Sequence, residues 1–311
     1  MSSSADFAVS LPVRYENDKR QFPTMKPLFS LLSLGLLSSI SHAATLQIAP
    51  AAPQPGDILT VTIYPAPGEK IVGVGMSAFD TPQVKFFTKS NGVARAFVGF
   101  PFDRSGGQFP VAARVQTQNG EQIVRATVNA RSRYYPTQRI TMRNRATASK
   151  MNNKAGLRAE RALVNAKMAN SYAAPLWSGN WVTPTRGPGT SAYGRKRYVN
   201  GKWWGQHNGA DVKAPTGAAV VASNSGRVAL SAYLPLLRGN CVVIDHGCNV
   251  FSIYMHLSRR DVSEGQSVSK AQRIGAVGAT GFATGAHLHW EVRVGQEPVD
   301  PNRVVARGLN F

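Results

Sequence analysis

Gly285-Ala286-His287-Leu288-His289-Trp290-Glu291 is the stretch on which the reading of this chain turns. Successive side chains of a β-strand point to opposite faces. His287, His289 and Glu291 then share one face, and Leu288 and Trp290 the other. One face is core-like; the other carries two imidazoles and a carboxylate. The chain has only 6 histidines in 311 residues, so two of them at this spacing need an explanation. H-x-H on a strand presents two nitrogens to one metal. The same pattern also occurs in core strands whose histidines are incidental, and both readings stand on these residues alone.

Two other segments offer matching chemistry. Gln206-His207-Asn208-Gly209-Ala210-Asp211-Val212 spaces an imidazole and a carboxylate four apart. Asn208-Gly209 inside it, and Ala214-Pro215-Thr216-Gly217 after it, argue for a turn leading into a strand rather than a helix. Taken alone, the pair is a hydrogen bond or a shared ligand set. Ser252-Ile253-Tyr254-Met255-His256-Leu257 places a further histidine on an alternating strand, after a turn at 245–249. His246 and Asp245 in that turn read as structural, bonded to nearby backbone.

In order along the last ~110 residues, these segments resemble the lysostaphin/LytM-type zinc endopeptidases of bacterial cell walls. The matching stretches begin with Tyr193-Gly194-Arg195, His207-Asn208-Gly209-Ala210-Asp211, Ala214-Pro215-Thr216-Gly217 and Gly226-Arg227-Val228. They continue with Val243-Ile244-Asp245-His246-Gly247, Tyr254-Met255-His256-Leu257, Gly265-Gln266-Ser267-Val268 and Ile274-Gly275-Ala276-Val277-Gly278, and end with Thr280-Gly281-Phe282 running into the H-x-H strand. The departures are Ala271, where glycine is usual, and Ala286, where proline is common.

The resemblance implies that Zn²⁺ is held by His207, Asp211 and His289, with His256 and His287 unligated beside it as catalytic residues. Two neutral imidazoles and one carboxylate leave the metal an open fourth position, as catalysis requires. Glu291, on the same strand face, reads either as a partner that orients an imidazole or as a surface carboxylate at a strand end. Gly278, Gly281 and Gly285 allow a groove suited to a slim peptide backbone. Tyr193, Trp203 and Trp204 either wall that groove or pack beneath the sheet.

The rest of the chain reads as mainly β. Short alternating runs such as Leu59–Tyr64, Val84–Phe87 and Val93–Val98, with Asn91-Gly92 and Asn119-Gly120 turns, predict an immunoglobulin-like β-sandwich over 45–133. Residues 131–167 carry ten Lys/Arg against the single acid Glu160, and Ala155 to Asn170 reads as helix. This makes 134–173 a basic, partly helical linker, and 174–311 an antiparallel-β LytM-like peptidase domain. Met25-Lys26 and the apolar run Leu28–Leu37, with small residues before Ala43, read as a signal segment within 1–44, with translation starting at Met25. Cys241 and Cys248 flank a short strand and are expected to stay unbonded.

Lys+Arg number 36 and Asp+Glu 16, a net charge of +20. Such a chain is attracted to polyanions. Export directs that charge toward anionic envelope polymers, and no nucleic acid is expected. The expected function is zinc metalloendopeptidase action on peptidoglycan by an exported monomer, in periplasm, wall or medium. The alternative is a catalytically silent protein of the same fold that binds wall or activates a hydrolase; such proteins lose ligands, and all five key side chains are present here.

Overall fold

The computed structural model describes residues 43–79, 81 and 83–309. Of the signal segment expected over 1–44, residues 1–42 lie outside the described residues.

The N-terminal strands are β1 (Thr45–Ala49), β2 (Ile58–Tyr64), β3 (Ile71–Met76), β4 (Phe87–Thr88), β5 (Ala94–Gly99), β6 (Gly107–Thr117) and β7 (Gly120–Ala130). They form one sheet in the order β1-β2-β5-β4 and another in the order β3-β6-β7. Alternation decides what lies between them: Leu59, Val61 and Ile63 of β2 and Ala94, Ala96 and Val98 of β5 meet Val111, Ala113 and Val115 of β6 in one core. Asn119 and Gly120 make the expected tight turn, with Thr117 paired to Gly120. Of the run Val84–Phe87, only Phe87 is strand. Val84 instead bonds the carbonyl of Met76, which draws the chain across the sandwich rather than along an edge.

The following segment is more than a linker. Strand β8 (Thr137–Ile140) lies within it. Helix α1 (Arg145–Ser149) and a short 3₁₀ turn lead to α2 (Lys154–Lys167). Asn153 caps α2 by accepting from the backbone N–H of Gly156 at 2.9 Å. Ala, Leu, Arg and Lys then carry the helix. Val164 and Met168 bury one face against Leu230, Leu234, Phe251 and Ile253, while Arg158 and Arg161 stay exposed.

The C-terminal strands are β9 (Gly189–Ser191), β10 (Lys196–Val199), β11 (Lys202–Gln206), β12 (Ala210–Lys213), β13 (Ala219–Val221), β14 (Gly226–Leu234), β15 (Gly239–Asp245) and β16 (Val250–Arg260). β17 (Ser267–Val268), β18 (Arg273–Val277), β19 (His287–Val294), β20 (Glu297–Val299) and helix α3 (Pro301–Arg307) complete the chain. A 10-stranded antiparallel sheet runs β17-β14-β15-β16-β19-β12-β9, with β13, β18 and β20 off that path. A separate sheet, β11-β10-β8, draws β8 alongside β10 in parallel.

The sandwich packs on this unit through the outer face of β5. Phe97 is 3% exposed and its ring lies 5.7 Å from that of Trp177. Burying one such side chain stabilises by roughly 1.5–3 kcal/mol. Cys241 and Cys248 are both free and buried, as expected.

Candidate metal centre

Three elements converge on one point. Strand β19 places His289 directly opposite Asp211 of β12 in the antiparallel register. The turn ahead of β12 brings His207 back over Asp211. Gly209 is required in that turn for space: a Cβ there would stand 2.2 Å from the carbonyl oxygen of Trp290. His207 Nε2 lies 3.0 Å from Asp211 Oδ1 and 3.0 Å from His289 Nδ1. His289 Nδ1 lies 2.8 Å from Asp211 Oδ1. One ligand atom from each of these buried residues falls within 4.8 Å of the others.

The outer sides of the rings settle which nitrogens are free. His207 Nδ1–H donates to the carbonyl of Ala192 at 2.9 Å, because a carbonyl can only accept. Its Nε2 therefore carries a lone pair. His289 Nε2–H donates to Glu291 at 3.0 Å, which leaves Nδ1 bare toward Asp211. Two imidazole nitrogens and one carboxylate oxygen, aimed at one point, are donors that suit a metal ion, and the residues fit zinc.

The charges agree. Burial pushes the His207 ring down to about 4, against the pull of Asp211. Burial works to raise the Asp211 carboxyl, but His207 and His289 outweigh it and hold it well below the usual range. Burial also opposes a charged Glu291, yet Arg293 and His289 bring its carboxyl below the ordinary value.

His256 and His287 stand beside this cluster. Their ring centroids are 4.8 Å apart, and that of His256 is 6.0 Å from His289. Each Nδ1–H donates to a backbone carbonyl at 2.8 Å, Thr280 for His256 and Gly285 for His287. His287 Nε2 is 3.9 Å from Asp211 Oδ1. Burial, with His287 and His289 nearby, pushes His256 down to about 3.

Simple alternation along β16 fails at His256. Strict alternation would send it inward with Tyr254, which is fully buried in the core. Instead the register against β15 slips between Asn240 and Val242, and His256 takes φ +62°. This bulge re-aims the ring into the groove, where its strained backbone is held by the surrounding sheet.

The groove is a cavity of about 610 Å³. All five residues singled out in the sequence line it. Trp204 stacks on Phe282 at 5.2 Å, and both line the same cavity. Tyr193 does not wall it. That ring is 1% exposed, and its hydroxyl donates to Pro298 at 2.9 Å beside Tyr135. Trp203 turns to the other face of β11 from Trp204 and packs on Tyr198 at 5.4 Å. Glu291 is no surface carboxylate, being 3% exposed. His246 and Asp245 are structural as expected: the histidine donates to Ser225 O, and the carboxylate accepts from Ser171, Tyr172 and Gly247.

Sequence reasoning missed Arg197, Ser191 and Gln138. Arg197 Nη2 donates to Asp211 Oδ2 at 2.5 Å, and Gln138 and Ser191 hold Arg197 in turn. No spacing rule links these positions to His207 or Asp211. The one local signal is the neighbouring Tyr193-Gly194-Arg195.

The site is a set of three donors able to hold a metal ion, carried on a β-sheet domain. Residues 205–301 match the family model of Peptidase family M23, and the chain carries an M23 domain of the LytM/lysostaphin type. Over 94 residues it is 46% identical to the peptidoglycan DD-endopeptidase ShyA of Vibrio cholerae, covering 30% of this chain and 22% of that protein. Over 112 residues it is 38% identical to the DD-carboxypeptidase/endopeptidase Mpg of Neisseria meningitidis, covering 36% of this chain and 26% of that protein. The matches thus span about a quarter or less of these relatives' length. The crystal structure of an M23 peptidase candidate from Pseudomonas aeruginosa superposes with a TM-score of 0.57 at 24% identity. That likeness covers 81% of this chain and 94% of the other, and shows a shared fold.

Proposed function

We propose that this protein is a zinc metalloendopeptidase that hydrolyses peptide bonds in bacterial peptidoglycan stems or cross-bridges. The observation that carries this reading is the convergence of His207, Asp211 and His289 beside His256 and His287 in one groove. His207, Asp211 and His289 would hold zinc, whose Lewis acidity activates water and polarises the scissile carbonyl.

His256 and His287 do the proton work. With Nδ1–H committed to a carbonyl, each ring offers a bare Nε2, the form that takes a proton from attacking water. The protonated ring then donates toward the oxyanion and passes its proton to the leaving amine. Trp204 and Phe282 give the groove an apolar aromatic wall against which a peptide backbone can lie. The name of ShyA, a peptidoglycan DD-endopeptidase, supports peptidoglycan as the substrate.

The net charge of +20, with Arg158 and Arg161 exposed on α2, suits adhesion to anionic envelope polymers. Action there requires export, for which the apolar run after Lys26 is the motivating feature. No helix among the described residues is long and apolar enough to cross a membrane. The sheet orders β1-β2-β5-β4 and β3-β6-β7 support an immunoglobulin-like reading of the sandwich, in the grouping of constant-type domains. The protein is expected to act as a monomer.

Mass spectrometry of fragments released from purified sacculi, with and without chelator, tests the proposal. New peptide termini that vanish with chelator are expected. Intact sacculi under both conditions would leave only wall binding.

A further inference from the structure

Asp211 uses its two oxygens differently. Oδ1 faces His207 and His289, while Oδ2 is taken by Arg197. Arg197 is itself fixed from two sides. Its Nε donates to Gln138 Oε1 at 3.0 Å, and its Nη2 also donates to Ser191 Oγ at 3.0 Å. The Ser191 hydroxyl donates its single proton to Gln138 Oε1 at 2.9 Å, and lies 3.2 Å from His207 Nδ1. Every group is used in keeping with its donors and acceptors: the Gln138 oxygen accepts twice, and the serine donates once and accepts.

Gln138 belongs to β8, which reaches the site only because it pairs in parallel with β10, register Gln138 to Arg197. Gln138, Ser191 and Arg197 all lie outside the matched segment 205–301. The network is also largely dry: the Arg197 side chain is 17% exposed and that of Asp211 9%. Bonds in such surroundings hold geometry better than bonds in water.

We propose that strand β8 is a working part of the metal centre. Gln138 is a positioning residue that acts through Arg197 and Ser191 to fix the carboxylate of Asp211 and the ring of His207. A free carboxylate rotates and can offer a metal one oxygen or two. With Oδ2 tied to a guanidinium whose plane is held by Gln138, Asp211 offers Oδ1 alone, and an open position is kept for water and substrate. A neutral amide suits the post, since a carboxylate there would compete with Asp211 for Arg197. The inference rests on the reading that His207, Asp211 and His289 hold zinc.

The test is the zinc affinity of the full-length protein, measured by competition with a chromophoric chelator, for the wild type and for Gln138→Leu. The leucine keeps the strand and the Arg197 charge but removes the acceptor. Affinity is expected to fall about tenfold, and the visible absorption of cobalt(II) placed in the site, which reports ligand geometry, is expected to change. The metal-free variant should melt with the wild type, which a merely structural role would not allow together with that loss. Wild-type affinity and spectrum in Gln138→Leu overturn this inference and leave the metal reading intact. A wild-type protein that takes up no zinc overturns the metal reading first. Should Gln138→Leu fail to fold, Ser191→Ala cuts the same network and carries the same two outcomes.

Discussion

Glu291 accepts from His289 Nε2 at 3.0 Å, on the side of the ring turned away from Asp211. Arg293 Nε donates to the other oxygen of the same carboxylate at 2.6 Å. A buried line of groups, Arg293 to Glu291 to His289, therefore ends on the nitrogen that faces the ligand cluster. Glu291 fixes the tautomer of His289, and Arg293 keeps Glu291 charged in a dry setting.

That relationship makes Glu291→Leu a twofold lesion. Losing the acceptor frees the His289 tautomer, so zinc affinity should drop by roughly 10–100-fold. It also leaves Arg293 as a buried charge without its carboxylate, at a cost on the order of 3–5 kcal/mol. Chelator competition and urea unfolding measure the two effects separately. Unchanged zinc affinity would show that the tautomer is set elsewhere.

The ligand and proton-transfer roles should separate by substitution. His207→Ala, Asp211→Ala and His289→Ala are each expected to lose bound zinc and peptidase activity together. His256→Ala should retain zinc by elemental analysis yet lose turnover by roughly 10²–10⁴-fold. A His256→Ala enzyme that cuts at the wild-type rate removes that residue from the chemistry.

Ala271 adopts φ +64°, a left-handed conformation that costs an L-residue roughly 1–2 kcal/mol. The family's usual glycine at this position has no such penalty. Ala271→Gly should stabilise the protein by about 1 kcal/mol, part of the relief being lost to the greater freedom of unfolded glycine. A shift in the urea midpoint toward lower stability counts against the strain argument.

His246 gives the fold an acid limit. The ring is fully buried, its Nδ1–H donates to Ser225 O at 2.8 Å, and burial pushes it down to about 4. The unfolded chain takes up this proton near ~6.5. Between those values the unfolded state binds more protons, so this group's contribution is complete above pH ~6.5 and is lost as pH falls toward 4. The total is roughly 3 kcal/mol. His246→Gln should flatten the stability curve across that window when urea midpoints are compared at several pH values. Parallel curves for the two proteins would exclude the assignment.

Much of the site was legible because strand patterning and turn chemistry are local. His287, His289 and Glu291 do share a face with alternation intact, and Asn208-Gly209 does make the turn that returns His207 over Asp211. Local pattern misleads where the deciding partner is distant in the chain. Tyr193 and Trp203 look like groove aromatics until Pro298, Tyr135 and Tyr198 are seen to claim them. Residues 84–86 alternate like a strand, but a bond from Val84 to Met76 takes the chain elsewhere. Gln138 sits in a basic stretch that gives no local sign of parallel pairing with β10.

The sequence by itself determined the donor types, the alternating strands that carry them and the charge that favours an anionic surface. These follow from local sterics and side-chain chemistry, which act over a few residues. Only the tertiary structure decided that His207 meets a ring 82 residues further on, that a bulge swings His256 to the same groove, and that Arg197 and Gln138 take hold of Asp211. Such meetings depend on which strand pairs with which and in what register. Pairing is chosen by burial of the whole apolar face at once, a sum over the sheet that no short stretch contains.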